Sequence, residues 1–394
     1  MMEPLSLLLP RESFMRVEKV RRAMADAGFD ALLACDFATI YYLAGRVFDG
    51  FALIPADDDP VWFVKRPVHL GGERVCHIRK PEEIPAWLER FGSAAPNRLG
   101  LEMDLCSYSL VERLKAVFPA AECVNGSPAL RVARSVKTPA ELEKVRLSGT
   151  KHVGVYSRIP SLYTTGMTDY ELQTAIEYLS RKEGCLGQFR ISGSSMELFM
   201  GNVISGDSAD APSPYDFAMG GRGMDPSLPV GASGEEIRPG CTVMVDVNGN
   251  FTGYMTDMTR VYSLGTLPKL ALDAHQCSID IHAEFRRMAA SGASARALYE
   301  MAENMARERG FEKYFMGHAQ HAGFVGHGVG IEINELPVLA PRSRDILEAG
   351  NVVALEPKFV IPGVGAVGIE NTYIIGEDGA ECVTAAPEEI ISLD

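Results

Sequence analysis

The feature that most constrains this chain is a pair of apolar β-hairpins that carry acidic residues inside their strands. The segment NVVALEPKFVIPGVGAVGIENTYII has two apolar runs on either side of PGVG, a strong turn signal. Glu356 lies seven residues before Gly363, and Glu370 lies seven residues after it. A symmetric hairpin therefore places these two side chains opposite each other on one face, with Cβ atoms about 5 Å apart.

An earlier hairpin, VMVDVNGNFTGYMTDMTR, repeats this arrangement. Asp246 and Asp257 are symmetric about the point between Phe251 and Thr252, so we expect them to be opposed as well. Facing carboxylates within apolar strands destabilise a fold unless a cation lies between them, and a metal ion is the simplest such cation. The alternatives are a proton shared within each pair, or a strand register that turns one acid to solvent.

His327, in the segment FVGHGVGIEINELP, is the fifth candidate ligand. Gly326 and Gly328 flank it, and their missing side chains allow a backbone and a ligand to approach closely. A single histidine is more often structural, so His327 gains weight only together with the acids. His318 and His321 lie nearby in HAQH and could compete for the role.

Carboxylates with one imidazole form an oxygen-rich ligand set. Such a set suits two divalent ions about 3.5–4 Å apart that are bridged by hydroxide. It favours manganese, iron or cobalt over structural zinc, and metal availability decides among them. We therefore expect two divalent ions, with manganese as the first choice and cobalt, iron or zinc as the others.

The composition argues against several other functional classes. Lys and Arg total 38 against 52 Asp and Glu, for a formal charge of −14, which disfavours binding to nucleic acid or to anionic membranes. The sequence has no apolar stretch of the roughly 18 residues that a membrane span needs, and its N-terminus lacks the basic start of a signal peptide. The eight cysteines are scattered singly, so we expect reduced thiols and a cytoplasmic location.

At 394 residues the chain is too long for one hydrophobic core, so two domains are expected. In the first third, the run from Arg11 to Ala27 and the segment SLVERLKAVF have helical periodicity. The segments ALLACDF, IYYLAG, FALIPA and VWFVK are typical of strands. These patterns predict an α/β (α+β) chain with an N-terminal domain over residues 1–135 and a second domain over residues 136–394.

The second domain begins with helix signals. The capping boxes TPAE at 138–141 and TDYE at 168–171 each open a helix, and the latter helix runs to residue 184. Residues 192–234 are rich in Gly, Ser and Pro, which predicts either a long loop near a functional site or a flexible excursion. Further helices are expected at about 271–291 and at 294–309.

In the order and spacing of the five candidate ligands, the sequence resembles the creatinase, prolidase and aminopeptidase P family. The matching motifs span the chain: Asp246-x10-Asp257, His327 in GHGVG, Glu356 in LEPKF and Glu370 in GIENT. The resemblance implies a creatinase-like N-terminal domain and a pita-bread catalytic domain with pseudo-two-fold symmetry. It also implies a homodimer, a dinuclear metal site and cleavage of the bond before proline.

The sequence departs from the family's peptidases at positions where substrate-binding side chains are expected. Pro229, Gly323 and Asn334 stand where the family has histidines, and Gly368 stands where it has arginine. The loss of one such electrophilic donor typically reduces the rate by about 10²–10³. Other polar side chains could compensate, although packing or solvated roles are equally compatible with the sequence. The candidates are His318, His321, Arg222, Tyr215 and Tyr254.

The expected reaction is attack of the metal-bridging hydroxide on an amide carbonyl. Glu356 would accept its proton and pass it to the leaving group, Asn334 could donate a hydrogen bond to the oxyanion, and His321 is a further catalytic candidate. The first function to consider is an Xaa-Pro aminopeptidase or dipeptidase acting on small peptides. The alternative is a small-molecule C–N hydrolase or lyase on the same metals. A non-catalytic binding protein is a third possibility, which the retained ligands disfavour.

Overall fold

A computed structural model of the chain describes residues 2–193, 199–215 and 217–394. Residues 194–198, within the predicted Gly- and Ser-rich loop, and residue 216 lie outside the described residues. The chain divides into two units, Met1–Arg134 and Ser135–Asp394. Among the helices that can be described, none combines the length and the apolar character that crossing a membrane requires.

The first unit is built on a mixed β-sheet with helices beside it. Its strands are β1 (Glu3–Pro4), β2 (Ala31–Ala34), β3 (Asp49–Pro55), β4 (Val61–Arg66), β5 (Leu70–Gly71), β6 (Val75–His77), β7 (Arg98–Leu101) and β8 (Glu122–Asn125). Its helices are α1 (Pro10–Ala27), α2 (Phe37–Ala44), α3 (Ile84–Phe91), α4 (Tyr108–Val117) and α5 (Ser127–Ser135). The sheet has the order β6-β4-β3-β2-β7-β8, and β1 pairs with β5. The helices predicted for the run after residue 11 and for SLVERLKAVF are confirmed as α1 and α4.

The segment IYYLAG was expected to be a strand, and this prediction is wrong. It lies in α2, which begins after Asp36, whose carboxylate accepts hydrogen bonds from the backbone N–H groups of Ala38 and Thr39. The helix ends at Gly45, whose φ of 70° is left-handed. A well-capped start and end outweigh the β preference of the Ile-Tyr-Tyr run.

The second unit combines two larger sheets with short ribbons. Its first strands are β9 (Gly201–Ser205), β10 (Thr242–Val247), β11 (Gly249–Asn250), β12 (Met255–Thr256), β13 (Thr259–Ser263), β14 (Gly326–Gly328) and β15 (Glu335–Leu339). The later strands are β16 (Val352–Leu355), β17 (Lys358–Ile361), β18 (Gly365–Gly368), β19 (Asn371–Ile375), β20 (Ala380–Cys382) and β21 (Ile391–Ser392). Its helices are α6 (Pro139–Tyr156), α7 (Asp169–Lys182), α8 (Lys269–Met288) and α9 (Ala295–Glu308).

These strands form sheets with the orders β21-β13-β10-β9 and β15-β14-β16-β19-β20, together with the ribbons β11-β12 and β17-β18. The core beside α8 and α9 buries Ile281, Phe285 and Leu298 against Phe359 and Tyr373. Both sheets carry apolar side chains on the faces that the helices cover. The strands that carry the polar site described below are therefore held in place by a closely packed core.

The helix predictions for this unit are confirmed, and one loop prediction needs correction. Both capping boxes are present, with Thr138 and Thr168 each accepting from the backbone of the Glu three residues later. The predicted loop over 192–234, however, contains β9, which is buried along its length and pairs with β10. A short strand flanked by Gly and Ser residues has no period that the sequence could reveal, and burial between neighbours determines it.

Candidate metal centre

The five predicted ligands lie together in the second unit. Asp246 is on β10, His327 is on β14, and Asp257 follows β12. Glu356 lies between β16 and β17, and Glu370 lies between β18 and β19. All five side chains line one cavity, which we call the carboxylate cavity. The other residues that line it are Phe189, Ile191, Gly201, Asn202, Phe217, Ala218, Met219, Phe324, Ile333 and Asn334.

The strand registers explain how the acids meet. The ladders β16–β19 and β17–β18 share one register, so Glu356 and Glu370 lie opposite each other, as predicted. In the earlier hairpin, Asp246 pairs with Thr259, and the prediction that it directly opposes Asp257 is wrong. The centre of this hairpin lies one residue further along than the sequence symmetry suggested. The resulting offset of two residues keeps both aspartates on the same face, so both still reach the cavity.

His327 is held between closely packed strands. A Cβ atom on Gly326 would lie 2.4 Å from the carbonyl oxygen of Ala354, and one on Gly328 would lie 2.1 Å from that of Leu336. The close neighbour that was predicted at each of these glycines is therefore the backbone of an adjacent strand. The Nδ1 atom of His327 lies 3.1 Å from the carbonyl oxygen of Gly328, which can only accept, so Nδ1 carries the proton and Nε2 remains to bind a ligand.

Behind the carboxylates lies a cation that the sequence reasoning had missed. The Nζ atom of Lys358 donates to Asp246 Oδ2 at 2.7 Å, to Glu356 Oε2 at 2.7 Å and to Glu370 Oε2 at 3.0 Å. The Lys358 side chain is 0% exposed and is not among the described residues that line the cavity. Burial acts to lower the pKa of Lys358, but the charges of its carboxylate partners outweigh it and raise the pKa well above the ordinary value.

The sequence did contain a signal for this lysine. Lys358 follows Glu356 by two residues in LEPKFVI, and side chains two apart in an extended chain share a face. A lysine within an apolar run, on the face of a buried acid, indicates an ion pair. The register about PGVG that opposes Glu356 and Glu370 also places Lys358 opposite Gly368, whereas the contact of Lys358 with Asp246 depends on a strand outside this hairpin.

Each glutamate divides its two oxygens between Lys358 and the cavity. Glu370 Oε2 also accepts from the hydroxyl of Thr259 at 2.8 Å, while Oε1 is buried and has no hydrogen-bond partner among the described residues. Glu356 Oε1 lies 3.5 Å from His327 Nε2, and Asp257 Oδ2 lies 3.9 Å from the same nitrogen. A buried oxygen without a partner destabilises the fold, so this side of the cluster is suited to a cation.

The pKa values of the acids reflect the same crowding. Burial raises the pKa of Asp257 and of Glu370 well above their usual values. The neighbouring carboxylates add to both shifts, and the charge of Lys358 opposes them. The cluster therefore holds more negative charge than one ammonium offsets.

The donors form two overlapping groups, each of which could hold a divalent ion. One ligand atom each from Asp257, His327 and Glu370 lie within 4.8 Å of one another, as do one oxygen each from Asp246, Glu356 and Glu370. The second of these groups is the set that Lys358 already binds. The residues thus fit a divalent ion on the cavity side, and Lys358 contacts all three acids of the second group.

Comparison with known families agrees with this arrangement. The family described as "Metallopeptidase family M24" matches residues 143–377, and the "Creatinase/Prolidase N-terminal domain" matches residues 16–136. The chain belongs to metallopeptidase family M24. This membership confirms the resemblance to creatinase, prolidase and aminopeptidase P, and it confirms the expected enzyme class, a metal-dependent peptidase.

The M24 chain is similar to several dipeptidases and prolidases over nearly its whole length. It is 25% identical to an "Xaa-Pro dipeptidase" of Pyrococcus furiosus, covering 95% of this chain and 99% of the relative. The structure of an Xaa-Pro dipeptidase from Bacillus anthracis matches with a TM-score of 0.79 and 24% identity over 96% of this chain and 99% of the other. A prolidase from Pyrococcus horikoshii matches with a TM-score of 0.77 and 22% identity over 95% and 99%. These matches confirm the predicted fold, a creatinase-like domain followed by a pita-bread domain.

Among the predicted catalytic residues, Asn334 lines the carboxylate cavity of the M24 chain, but its amide is already engaged. Asn334 Oδ1 accepts from the backbone N–H of Ser192 at 2.8 Å, and Nδ2 donates to the carbonyl oxygen of Ser192 at 2.7 Å. The side chain thus anchors the segment that carries Ile191 into the cavity wall. This geometry favours a positioning role over the predicted contact with an oxyanion.

His321 and the other compensating candidates do not line the carboxylate cavity, within the part of the chain that the structure describes. The Nδ1 atom of His321 contacts the carbonyl oxygen of Phe315 at 2.8 Å, so the geometry does not support its predicted catalytic role. The others have local partners. These are Asp210 for His318, Glu235 for Arg222, the ring of Phe217 for Tyr215, and Glu141 for Tyr254.

The sequence reasoning also missed Asn202. It lies opposite Asp246 in the β9–β10 ladder and lines the cavity. Asn202 Nδ2 donates to the carbonyl oxygen of Met219 at 3.1 Å, while Oδ1 is buried with no partner among the described residues. Because the residues of β9 were predicted to form a loop, no strand pairing could be inferred that would place Asn202 beside Asp246.

Proposed function

We propose that this M24 protein hydrolyses the amide bond of a small Xaa-Pro peptide with a divalent metal ion held by Asp257, His327, Glu356 and Glu370. The observation that carries the proposal is that these side chains converge on one cavity with a largely apolar wall. The full-length likeness to the Xaa-Pro dipeptidase of Pyrococcus furiosus supports proline specificity. A homodimer remains a prediction from the family resemblance.

A bound divalent ion would supply a Lewis acid for the amide carbonyl and an activated water. Glu356 is placed to accept a proton at Oε1, since its Oε2 is bound by Lys358. Asn202 lines the cavity, and its Oδ1 atom has no hydrogen-bond partner among the described residues, so we propose that it accepts from an N–H group of the substrate. The Phe and Ile side chains of the wall would pack against the proline ring and exclude water.

The test is an assay of the manganese- or cobalt-loaded protein against Xaa-Pro dipeptides, longer Xaa-Pro peptides and small amides. We expect turnover of an Xaa-Pro dipeptide, and a loss of at least about 10²-fold in kcat for Glu356→Gln. The matched control is Glu348→Gln, which changes an exposed glutamate of the same unit and should keep the wild-type rate. Absence of turnover with every proline substrate would refute the peptidase proposal.

A small-molecule C–N hydrolase or lyase is the second candidate. The amide of Asn334 is occupied by Ser192, and neither His321 nor the other compensating candidates line the cavity among the described residues. The groups that would hold a peptide are therefore few. Turnover of a small amide, with no turnover of peptides, would establish this alternative.

A further inference from the structure

We propose that this centre holds one divalent ion rather than two, with the ammonium group of Lys358 in the place of the second ion. The inference deepens the proposed metal-dependent function and rests on it. Three observations support it: the contacts of the Lys358 ammonium group, the packing around Lys358, and the ligand atoms that Lys358 does not bind.

Lys358 binds one carboxylate oxygen of each residue in one of the two candidate ligand groups. Its Nζ atom lies 2.7 Å from Asp246 Oδ2, 2.7 Å from Glu356 Oε2 and 3.0 Å from Glu370 Oε2. Divalent ions of this class bind carboxylate oxygens at about 2.0–2.2 Å. An ion on these same oxygens would have to share their space with the ammonium group and would be repelled by its charge.

The backbone of Lys358 packs closely against the neighbouring strand β18. A Cβ atom added to Gly368, its cross-strand partner, would lie 3.0 Å from the Cα atom of Lys358 and 2.5 Å from the carbonyl oxygen of Pro357. The backbone beneath the lysine is therefore tightly packed. Since the side chain is 0% exposed and does not line the described cavity wall, an ion arriving from solvent meets the carboxylates before it meets the ammonium group.

Around His327, ligand atoms that Lys358 does not bind form one group. Glu370 Oε1 has no hydrogen-bond partner among the described residues, and Glu356 Oε1 lies 3.5 Å from His327 Nε2. Asp257 Oδ2 lies 3.9 Å from the same nitrogen. These three oxygens and one nitrogen suit one ion with ordinary carboxylate and imidazole ligation.

The first test uses the wild-type protein. After removal of metal and dialysis against an excess of Mn²⁺ or Co²⁺, elemental analysis should find one ion per chain. The electron paramagnetic resonance spectrum of the Mn²⁺ form should be that of an isolated ion, and anomalous diffraction should place it beside Asp257 and His327. Two ions per chain, a spin-coupled pair, or no bound ion would each overturn the inference.

The second test changes the lysine. Lys358→Ala removes the ammonium group and leaves space, so the stoichiometry should rise to two ions per chain. The matched control is Lys137→Ala, which removes another buried lysine, bound to Glu335 at 2.9 Å outside the cavity, and should leave the stoichiometry at one. A folded Lys358→Ala variant that still binds one ion would refute the exclusion by Lys358. If that variant fails to fold, the wild-type stoichiometry decides.

The outcomes separate this inference from the proposed function. Two ions per chain with turnover of an Xaa-Pro dipeptide would refute the inference and leave the function standing. One ion per chain without turnover of any amide would support the inference and refute the function.

Discussion

The clearest energetic consequence of Lys358 concerns the metal-free protein. Lys358→Ala leaves two buried carboxylates, Glu356 and Glu370, and the partly exposed Asp246 without their cation. Removing one partner from a buried ionic group typically costs about 3–5 kcal/mol. For a unit of this size, each kcal/mol shifts Tm by about 2–4 °C. We therefore expect Tm of the variant to fall by roughly 6–20 °C in the presence of a chelator.

Adding Mn²⁺ should reduce the difference in Tm between the wild type and the Lys358→Ala variant. A ligand at about 100 times its Kd stabilises the folded state by about 2.7 kcal/mol, and the variant has room for two ions where the wild type has room for one. Thermal or urea denaturation with chelator or with excess Mn²⁺ measures both differences. Lys137→Ala should be destabilised to the same extent in both conditions. A metal-free Lys358→Ala variant within about 0.5 kcal/mol of the wild type would refute the reasoning.

Two further predictions concern pH and packing. Burial lowers the pKa of His282 to about 3 and that of His152 and His275 to about 4. Stability should therefore be intact above pH 6.5 and should fall by about 1.4 kcal/mol per pH unit per histidine between pH 6.5 and 4, because the unfolded chain binds the protons. Urea denaturation across this pH range measures the free energy of unfolding. A free energy that does not change with pH would contradict the prediction. Gly368→Ala, at a φ of 116° and with its Cβ 2.5 Å from a carbonyl oxygen, should destabilise the protein by about 2 kcal/mol more than Gly363→Ala, at a φ of 77° with open space. Equal Tm values for these two variants would show that the β17–β18 ladder is not tightly packed.

The opposed glutamates could be predicted because their turn is unambiguous. The sequence PGVG marks one centre, and the two apolar strands on either side are equal in length. The aspartate hairpin contains two turn signals, Asn-Gly at 248–249 and Thr-Gly at 252–253, so its centre was predicted one residue away from its true position. The prediction of the site survived because an offset of two residues preserves the face of a strand.

The lysine and Asn202 could not be placed from the sequence for a different reason. Lys358 binds Asp246 across 112 residues, and its role depends on a register between strands that the chain connects through other elements. Asn202 enters the cavity through a strand whose composition is typical of a loop. The role predicted for Asn334 rested on its standing where the family has histidine, and His321 was a candidate that lies near His327 in the sequence. Each proved to have a backbone partner that the sequence does not reveal.

A cation that is part of the chain behaves differently from one that is bound. A chelator, or a cell short of metal, can remove an ion, but neither can remove the ammonium group beneath Asp246, Glu356 and Glu370. The ion pairs between Lys358 and these three carboxylates therefore form when the chain folds, before any metal ion binds. Loading then needs a single encounter with an ion, so activity should rise with free metal along a simple hyperbola and not along a sigmoid.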